Sequence, residues 1–250
     1  MRWLVICVGL CACRGGLLAV GGDDTDTSGG ETDTTETDSD TGPLASPDGL
    51  LVYEALIGPP ALVATLRDAV DHGGCPSAVP ANATDWTLSG GCSAGGVTWS
   101  GQGTFRRTSE GERIQFGTLG YDAGDGAIVL SGEILILGGT LDASHVARDA
   151  NGDLVFAHSH TVYTPDAAAT AVGAGGAGDY DLSGQLTVGG LGVFALSGNV
   201  SHAGACNREP DAGDLEATGA ATFDFDVDGA TECDGCVPYT GTSSDEACGF

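Results

Sequence analysis

The sequence predicts an all-β domain, an antiparallel meander of about eight to ten strands forming a barrel or sandwich, with one or two short N-terminal helices. Two observations predict it. A nine-residue pattern recurs as VTWSGQGTF from Val97, IVLSGEILI from Ile128, YDLSGQLTV from Tyr180 and FALSGNVSH from Phe194. Each copy alternates apolar and polar residues with a period of two, so Trp99, Leu130, Leu182 and Leu196 should face inward. The glycines two places on, Gly101, Gly132, Gly184 and Gly198, share that face and mark a bend, a bulge or the close approach of another backbone. The second observation is the spacing of turn signals. Ser109 to Glu112, Ala123 to Gly126, Gly138-Gly139 and Ala150 to Gly152 separate alternating runs, and connections this short join antiparallel neighbours.

The chain has 250 residues and a formal net charge of -27, and its 8 basic residues are all Arg. Such a surface repels phosphate backbones and anionic headgroups, which disfavours nucleic acid and electrostatic membrane binding and leaves cations and basic partners. Residues 1–12 read as a signal segment: Arg2 precedes an apolar run, Trp3 to Leu10, too short to span a bilayer. Residues 13–43 read as a tether. Within it DDTDTSGGETDTTETDSDTG, from Asp23, holds eight carboxylates and no apolar residue, so like charges repel and nothing offsets ordering entropy. Residues 44–250 form one folded domain.

Leu10-Cys11-Ala12-Cys13 resembles the lipobox of bacterial lipoproteins, with Cys13 as the acylated residue. A second apolar run, Leu17 to Val20, leaves open a later cut and plain secretion. Signal, acyl-Cys and acidic stalk together resemble uncharacterised bacterial cell-envelope lipoproteins. That resemblance covers the first 42 residues and implies an exported, outer-membrane-anchored or extracellular chain with a lipid anchor at Cys13. It carries no activity.

In the folded part, Asp48 caps a helix over Gly49 to Ile57 that Gly58-Pro59-Pro60 should end. A second helix, Ala61 to Asp71, aligns Leu62, Leu66, Ala69 and Val70 and stops at Gly73-Gly74. Six cysteines follow the N-terminal segment: Cys75, Cys92, Cys206, Cys233, Cys236 and Cys248. An even number in an exported chain favours disulfides. Cys75 should pair with Cys92, its near neighbour, leaving the other four to form two more bridges.

Strands then run over about Val97–Thr108, Arg113–Asp122, Ala127–Leu137, Thr140–Asp149 and Asp153–Thr164. The strand around Ile128 to Ile136, apolar on both faces, should be covered on both sides. After Pro165 an Ala/Gly stretch to Gly178 reads as a long loop. Tyr180–Val188 and Phe194–His202 suit a hairpin centred on Leu191, which sets Gly184 opposite Gly198. Leu215 to Asp228 aligns Phe223, Phe225 and Val227. The tail from Thr231 reads as a disulfide-pinned cap.

His145, His158 and His160 lie in one hairpin. With a two-residue turn at Asn151-Gly152, His145 falls opposite His158, and His160 shares their face, a set able to hold Zn or Cu. A type I turn with a bulge instead sets Asp142 opposite His160 and Ser144 opposite His158. Without convergence the three are polar residues on a solvated face.

Asp224, Asp226 and Asp228, followed by Gly229, match the first half of a calcium loop. Gly235 stands where its closing Glu belongs, so a row of strand carboxylates for Ca, or a plain acidic face, is the reading. Cys233-Asp234-Gly235-Cys236 has redox or zinc spacing but lacks the strand-helix setting of a redox site. No nucleophile-elbow G-x-S-x-G occurs in a strand-to-helix context, and there is no phosphate loop and no H-E-x-x-H pattern. The sequence therefore indicates a non-enzymatic envelope module, structural or binding an extracellular protein or glycan. The alternatives are a protein binding a divalent or transition metal and a secreted hydrolase of unrecognised site. No particular cofactor is indicated.

Overall fold

The computed structural model describes residues 47–124, 126–167, 178–203, 210–229, 236–241 and 244–248, without the side chains of 47, 48, 244–246 and 248. The signal segment, the tether, Cys13, Cys206, Cys233 and the Ala/Gly loop over 168–177 lie outside the described residues.

One helix, α1 (Pro47–His72), precedes the strands β1 (Ser77–Pro80), β2 (Asp85–Ser89), β3 (Cys92–Ala94), β4 (Val97–Ser100), β5 (Gln102–Thr108), β6 (Gly111–Phe116), β7 (Gly120–Asp122) and β8 (Ala127–Leu137). The chain continues as β9 (Thr140–Asp149), β10 (Leu154–Thr164), β11 (Gly178–Val188), β12 (Gly192–His202), β13 (Ala212–Thr218), β14 (Thr222–Val227), β15 (Cys236–Thr240) and β16 (Ser244–Cys248). All of them join one antiparallel sheet in the order β1-β2-β5-β6-β8-β9-β10-β11-β12-β13-β14-β15-β16, with β3, β4 and β7 branching from β8. No ladder joins β1 to β16 among the described residues, so the sheet stays open and sandwich-like rather than closing as a barrel.

The sheet curls around α1. The helix touches both edge strands, β1 and β16, and also β11, while Tyr53 packs its ring 5.2 Å from that of Phe225 on β14. From Gly49 to Arg67 no helix residue is exposed, and Leu50, Glu54, Ile57, Ala61 and Ala64 form a half-buried stripe beside a broad buried face, the pattern of a core helix rather than an amphipathic surface one. It is long and apolar enough to cross a membrane by length and composition, and here its apolar faces meet the sheet instead. Its exit is fixed by charge. Arg67 bridges Glu112 and Asp166, each at 2.6 Å, and Arg107 bridges Glu112 and Asp71, also at 2.6 Å.

The helix corrects an expectation: Gly58-Pro59-Pro60 does not end it, and one long helix replaces two short ones. Proline lacks an N–H, so Pro59 and Pro60 strip the carbonyls of Ala55 and Leu56 of their helical donors. Both carbonyls meet side chains of β10. Tyr163 donates its hydroxyl to the Leu56 oxygen at 2.8 Å, and the His158 ring faces the Ala55 carbonyl. These partners lie about a hundred residues away, where no local reading finds them.

The four repeats behave largely as expected. Trp99, Leu130, Leu182 and Leu196 are all buried. The four glycines take positive φ, from 68° at Gly101 to 149° at Gly198. They do not present an inner face: an added Cβ would run into neighbouring backbone, 2.2 Å from the Asp214 oxygen at Gly198 and 1.7 Å from the Thr118 oxygen at Gly101. At Gly101 the kink is sharp enough to split one expected strand into β4 and β5, which pair with different neighbours. A similar break over residues 117–119 separates β6 from β7, and Leu215–Asp228 is a hairpin, β13-β14, rather than one strand. Segments expected as turn and cap form the hairpins β1-β2 and β15-β16. Among the described residues sixteen strands therefore stand where about eight to ten were expected.

Two further expectations change. β8 is covered on one side only, since Val129 and Leu137 are exposed. In the β11-β12 hairpin Gly184 faces Leu196 and Leu182 faces Gly198, two residues from the expected register. A shift of two preserves which side chains point inward. The Cys75–Cys92 disulfide forms as expected, with Cα atoms 5.7 Å apart. Cys236 is also disulfide-bonded and stands opposite Cys248 in register.

Candidate functional site

β9 and β10 place the histidines, and the turn between them sets the phase. Asp149 carboxylate and carbonyl oxygens accept from Asn151, Gly152 and Asp153, and Gly152 sits at φ 87°. This is the four-residue turn with a bulge rather than the two-residue turn. Register then slips twice along the pair, so that Leu154 faces Arg148, Ala157 faces Val146 and Thr161 faces Ala143. The first slip restores the alignment that sets His145 against His158. The second, between Ala157 and Thr161, breaks alternation and turns His160 outward.

The structure thus brings two of the three histidines together and separates the third. His145 and His158 are 2% and 4% exposed, with ring centroids 4.9 Å apart and planes at 28°. Phe116 lies 5.4 Å from the His145 ring and Phe156 5.5 Å from the His158 ring. Burial in this apolar setting pushes the His145 imidazolium down to about pKa 4. His158 falls well below its ordinary value, first through burial and then through the neighbouring His145, while the Ala55 carbonyl acts in the other direction. Both rings are neutral at physiological pH. His158 Nδ1 lies 3.0 Å from Thr161 Oγ1, which donates to the Gln185 carbonyl at 3.0 Å.

His160 is exposed, with φ 51°, and its Nδ1 sits 3.1 Å from Asp142 Oδ2. The Asp142–His160 pairing of the alternative register is met here through side chains. The bulge also has a partner across β11, where Gly184 leaves room for the His160 carbonyl.

A buried pair that sequence reasoning missed lies at the end of β12. His202 Nδ1 is 3.3 Å from Asp211 Oδ2, both residues nearly inaccessible. That distance suits an ion pair but lacks hydrogen-bond alignment at Nδ1, while Asp211 also accepts from the Ala203 N–H. His202 continues the inward phase of Phe194, Leu196 and Val200, and this parity was the available signal.

Asp224 and Asp226 point outward from β14 and face Glu216 and Asp214 directly across the β13-β14 ladder. The four carboxylates line a groove of about 760 Å³ that extends to Pro238 and Thr240. Asp228 lies beyond the end of β14 and is half-buried, apart from that row. Among the described residues no three or more His, Cys, Asp or Glu side chains group closely enough to hold a metal ion. Neither the three-histidine set nor the aspartate row forms such a group.

Comparison with protein-family models, with curated proteins and with solved structures finds no match.

Proposed function

We propose that this chain is a non-enzymatic, exported module of the cell envelope, anchored through Cys13 and the acidic tether, whose β domain binds a basic extracellular protein segment along the outer face of β12–β15. The observation that carries this reading is the pairing of Asp214 with Asp226 and of Glu216 with Asp224 along the groove. Like charges directly opposite each other on a sheet destabilise it, and a cationic partner turns that repulsion into attraction. The tether supports the same reading, since a charged, extended stalk holds a module clear of its anchor.

Binding is tested with the mature full-length chain and a fluorescent oligo-lysine peptide at two salt concentrations. Replacing the four groove acids by Asn or Gln should weaken binding at least tenfold and flatten its salt dependence. Equal affinity in that variant would mean that the overall negative charge, not the groove, attracts the peptide. Anchoring is tested separately: Cys13→Ser should move the protein from the membrane fraction to the soluble one, and an unchanged distribution would refute acylation there.

A further inference from the structure

Residues 81–84 turn the chain from β1 into β2, and the N–H groups of Ala81 and Asn82 donate to the Asp85 carbonyl at 2.8 and 3.3 Å. Within that turn Asn82-Ala83-Thr84 is an Asn-x-Thr triplet, the acceptor pattern for a sugar on an asparagine amide. Ala81, Asn82 and Ala83 are exposed. The Asn82 amide is oriented by its neighbours: its Oδ1 accepts from the backbone N–H of Thr84 at 2.9 Å and of Asp85 at 3.0 Å. The Thr84 hydroxyl, with one hydrogen to give, stands 3.0 Å from that Oδ1 and 2.9 Å from Asp85 Oδ2. The Asp85 carboxylate is held below its ordinary range first by the Asn82 side chain and then by Thr84. It therefore engages one hydrogen of Asn82 Nδ2, and an amide nitrogen has a second.

We propose, resting on the exported reading above, that Asn82 is a glycosylation site whose Nδ2 takes a sugar from a glycosyl diphosphate in an enzyme-catalysed transfer. The anomeric carbon bonds to Nδ2 as its bond to the phosphate oxygen breaks. Nδ2 gives up one hydrogen as a proton, and the diphosphate leaves with the electron pair. Charge gathering on Oδ1 as the proton departs meets the two backbone N–H donors. Two observations set this triplet apart. Asn199-Val200-Ser201 has the same pattern and an exposed Asn, but it lies within β12, paired to β11 through Asp181 and to β13 through Asp214. An enzyme cannot seat that backbone without breaking two ladders, whereas residues 81–84 lie between strands. The second observation is the setting of the turn. β1 is an edge of the sheet, carries no charged residue and exposes Val79 at 55%. Edge strands are shielded by charge, proline or a covering segment. Pro80 ends this one, and a sugar two residues on adds bulk and solubility at the same place.

The test takes the mature protein from the cells that make it natively, fractionated before purification. After reduction, cleavage at arginine separates peptide 68–106, with Asn82, from peptide 149–208, with Asn199. Mass spectrometry with fragmentation then locates any sugar. The expected result is that most of peptide 68–106 carries sugar on Asn82 and that Asn199 carries none. In the same cells Asn82→Gln and Thr84→Ala should remove the sugar, while Thr84→Ser and Asn199→Gln should keep it. Exported protein with an unmodified peptide 68–106 would overturn the proposal alone. So would a sugar on the Thr84 hydroxyl, a sugar on Asn199 in place of Asn82, or one on Asn82 that survives Thr84→Ala. Protein confined to the cytoplasm would overturn export and the proposal together. The peptide map of the parent protein decides the matter even if a variant does not fold.

Discussion

The pairing of Pro60 with Tyr163 makes a prediction that can be worked through as a cycle. Tyr163→Phe keeps the buried ring and its contact with Tyr180, 5.9 Å away, and removes only the hydroxyl that serves the Leu56 carbonyl at 2.8 Å. A buried carbonyl left without a donor costs about 1–3 kcal/mol. Pro60 cannot relieve it, having no N–H. The substitution should therefore lower stability by about 2 kcal/mol, a fall in Tm of roughly 4–8 °C for a domain of this size. In a Pro60→Ala background the new N–H reaches Leu56 as the helix requires, and Tyr163→Phe should then cost about 0.5–1 kcal/mol. The helix propensity gained and the packing lost at position 60 are common to both arms and cancel. Denaturant unfolding of the four proteins with disulfides intact measures the coupling, expected at about 1 kcal/mol or more. Equal costs in both backgrounds would refute the claim that Tyr163 makes the proline-containing helix tolerable.

Three other outcomes are expected. His145 should make the fold acid-sensitive. Its folded-state pKa lies below the unfolded value, so its contribution is complete above about pH 6.5 and is lost as pH falls towards 4, an effect of at most about 3 kcal/mol. His145→Leu should flatten the fall in stability between pH 7 and 5, and parallel curves would contradict the assignment. Gly198→Ala should destabilise by more than about 2 kcal/mol, because φ is 149° and the methyl would meet the Asp214 oxygen. Gly58→Ala, in helix with nothing near the added carbon, should stabilise by about 0.5–1 kcal/mol; thermal melts of both variants check the contrast. Replacing both Cys75 and Cys92 by Ser opens a loop of 17 residues and should lower stability by about 3 kcal/mol, read as a shifted denaturation midpoint.

What was legible in the sequence is what depends on near neighbours. Alternation alone placed Trp99, Leu130, Leu182 and Leu196 in the core, because the period of two is a property of each strand by itself. The Cys75–Cys92 bridge followed from proximity. The same parity applied to the tail would have shown Val237, Tyr239 and Ala247 facing inward and revealed the last hairpin. Applied to the end of β12, it would have marked His202 as buried. Register was harder to read. The β11-β12 pairing differs from its expected alignment by two residues, an error invisible to the hydrophobic pattern since a shift of two moves no side chain to the other face.

The site was half legible for the same reason. His145 and His158 meet because the turn at Asp149 and the slip after Leu154 act together. His160 leaves because a further bulge is accommodated by the positive φ of Gly184 on the next strand, a condition set by a third segment. The helix shows the same dependence in its strongest form. Read locally, Gly58-Pro59-Pro60 is a stop signal, with two hydrogen bonds lost and two rings pressed against the preceding turn. Read with β10 in place, the freed carbonyls are the atoms that Tyr163 and His158 engage. The apparent defect in the helix and the burial of a histidine on the sheet are therefore one arrangement. Disturbing either side should be felt on the other: with Pro59→Ala, the Ala55 carbonyl regains its helical donor and turns from His158. His158→Leu should then cost less in denaturant unfolding than it does beside Pro59.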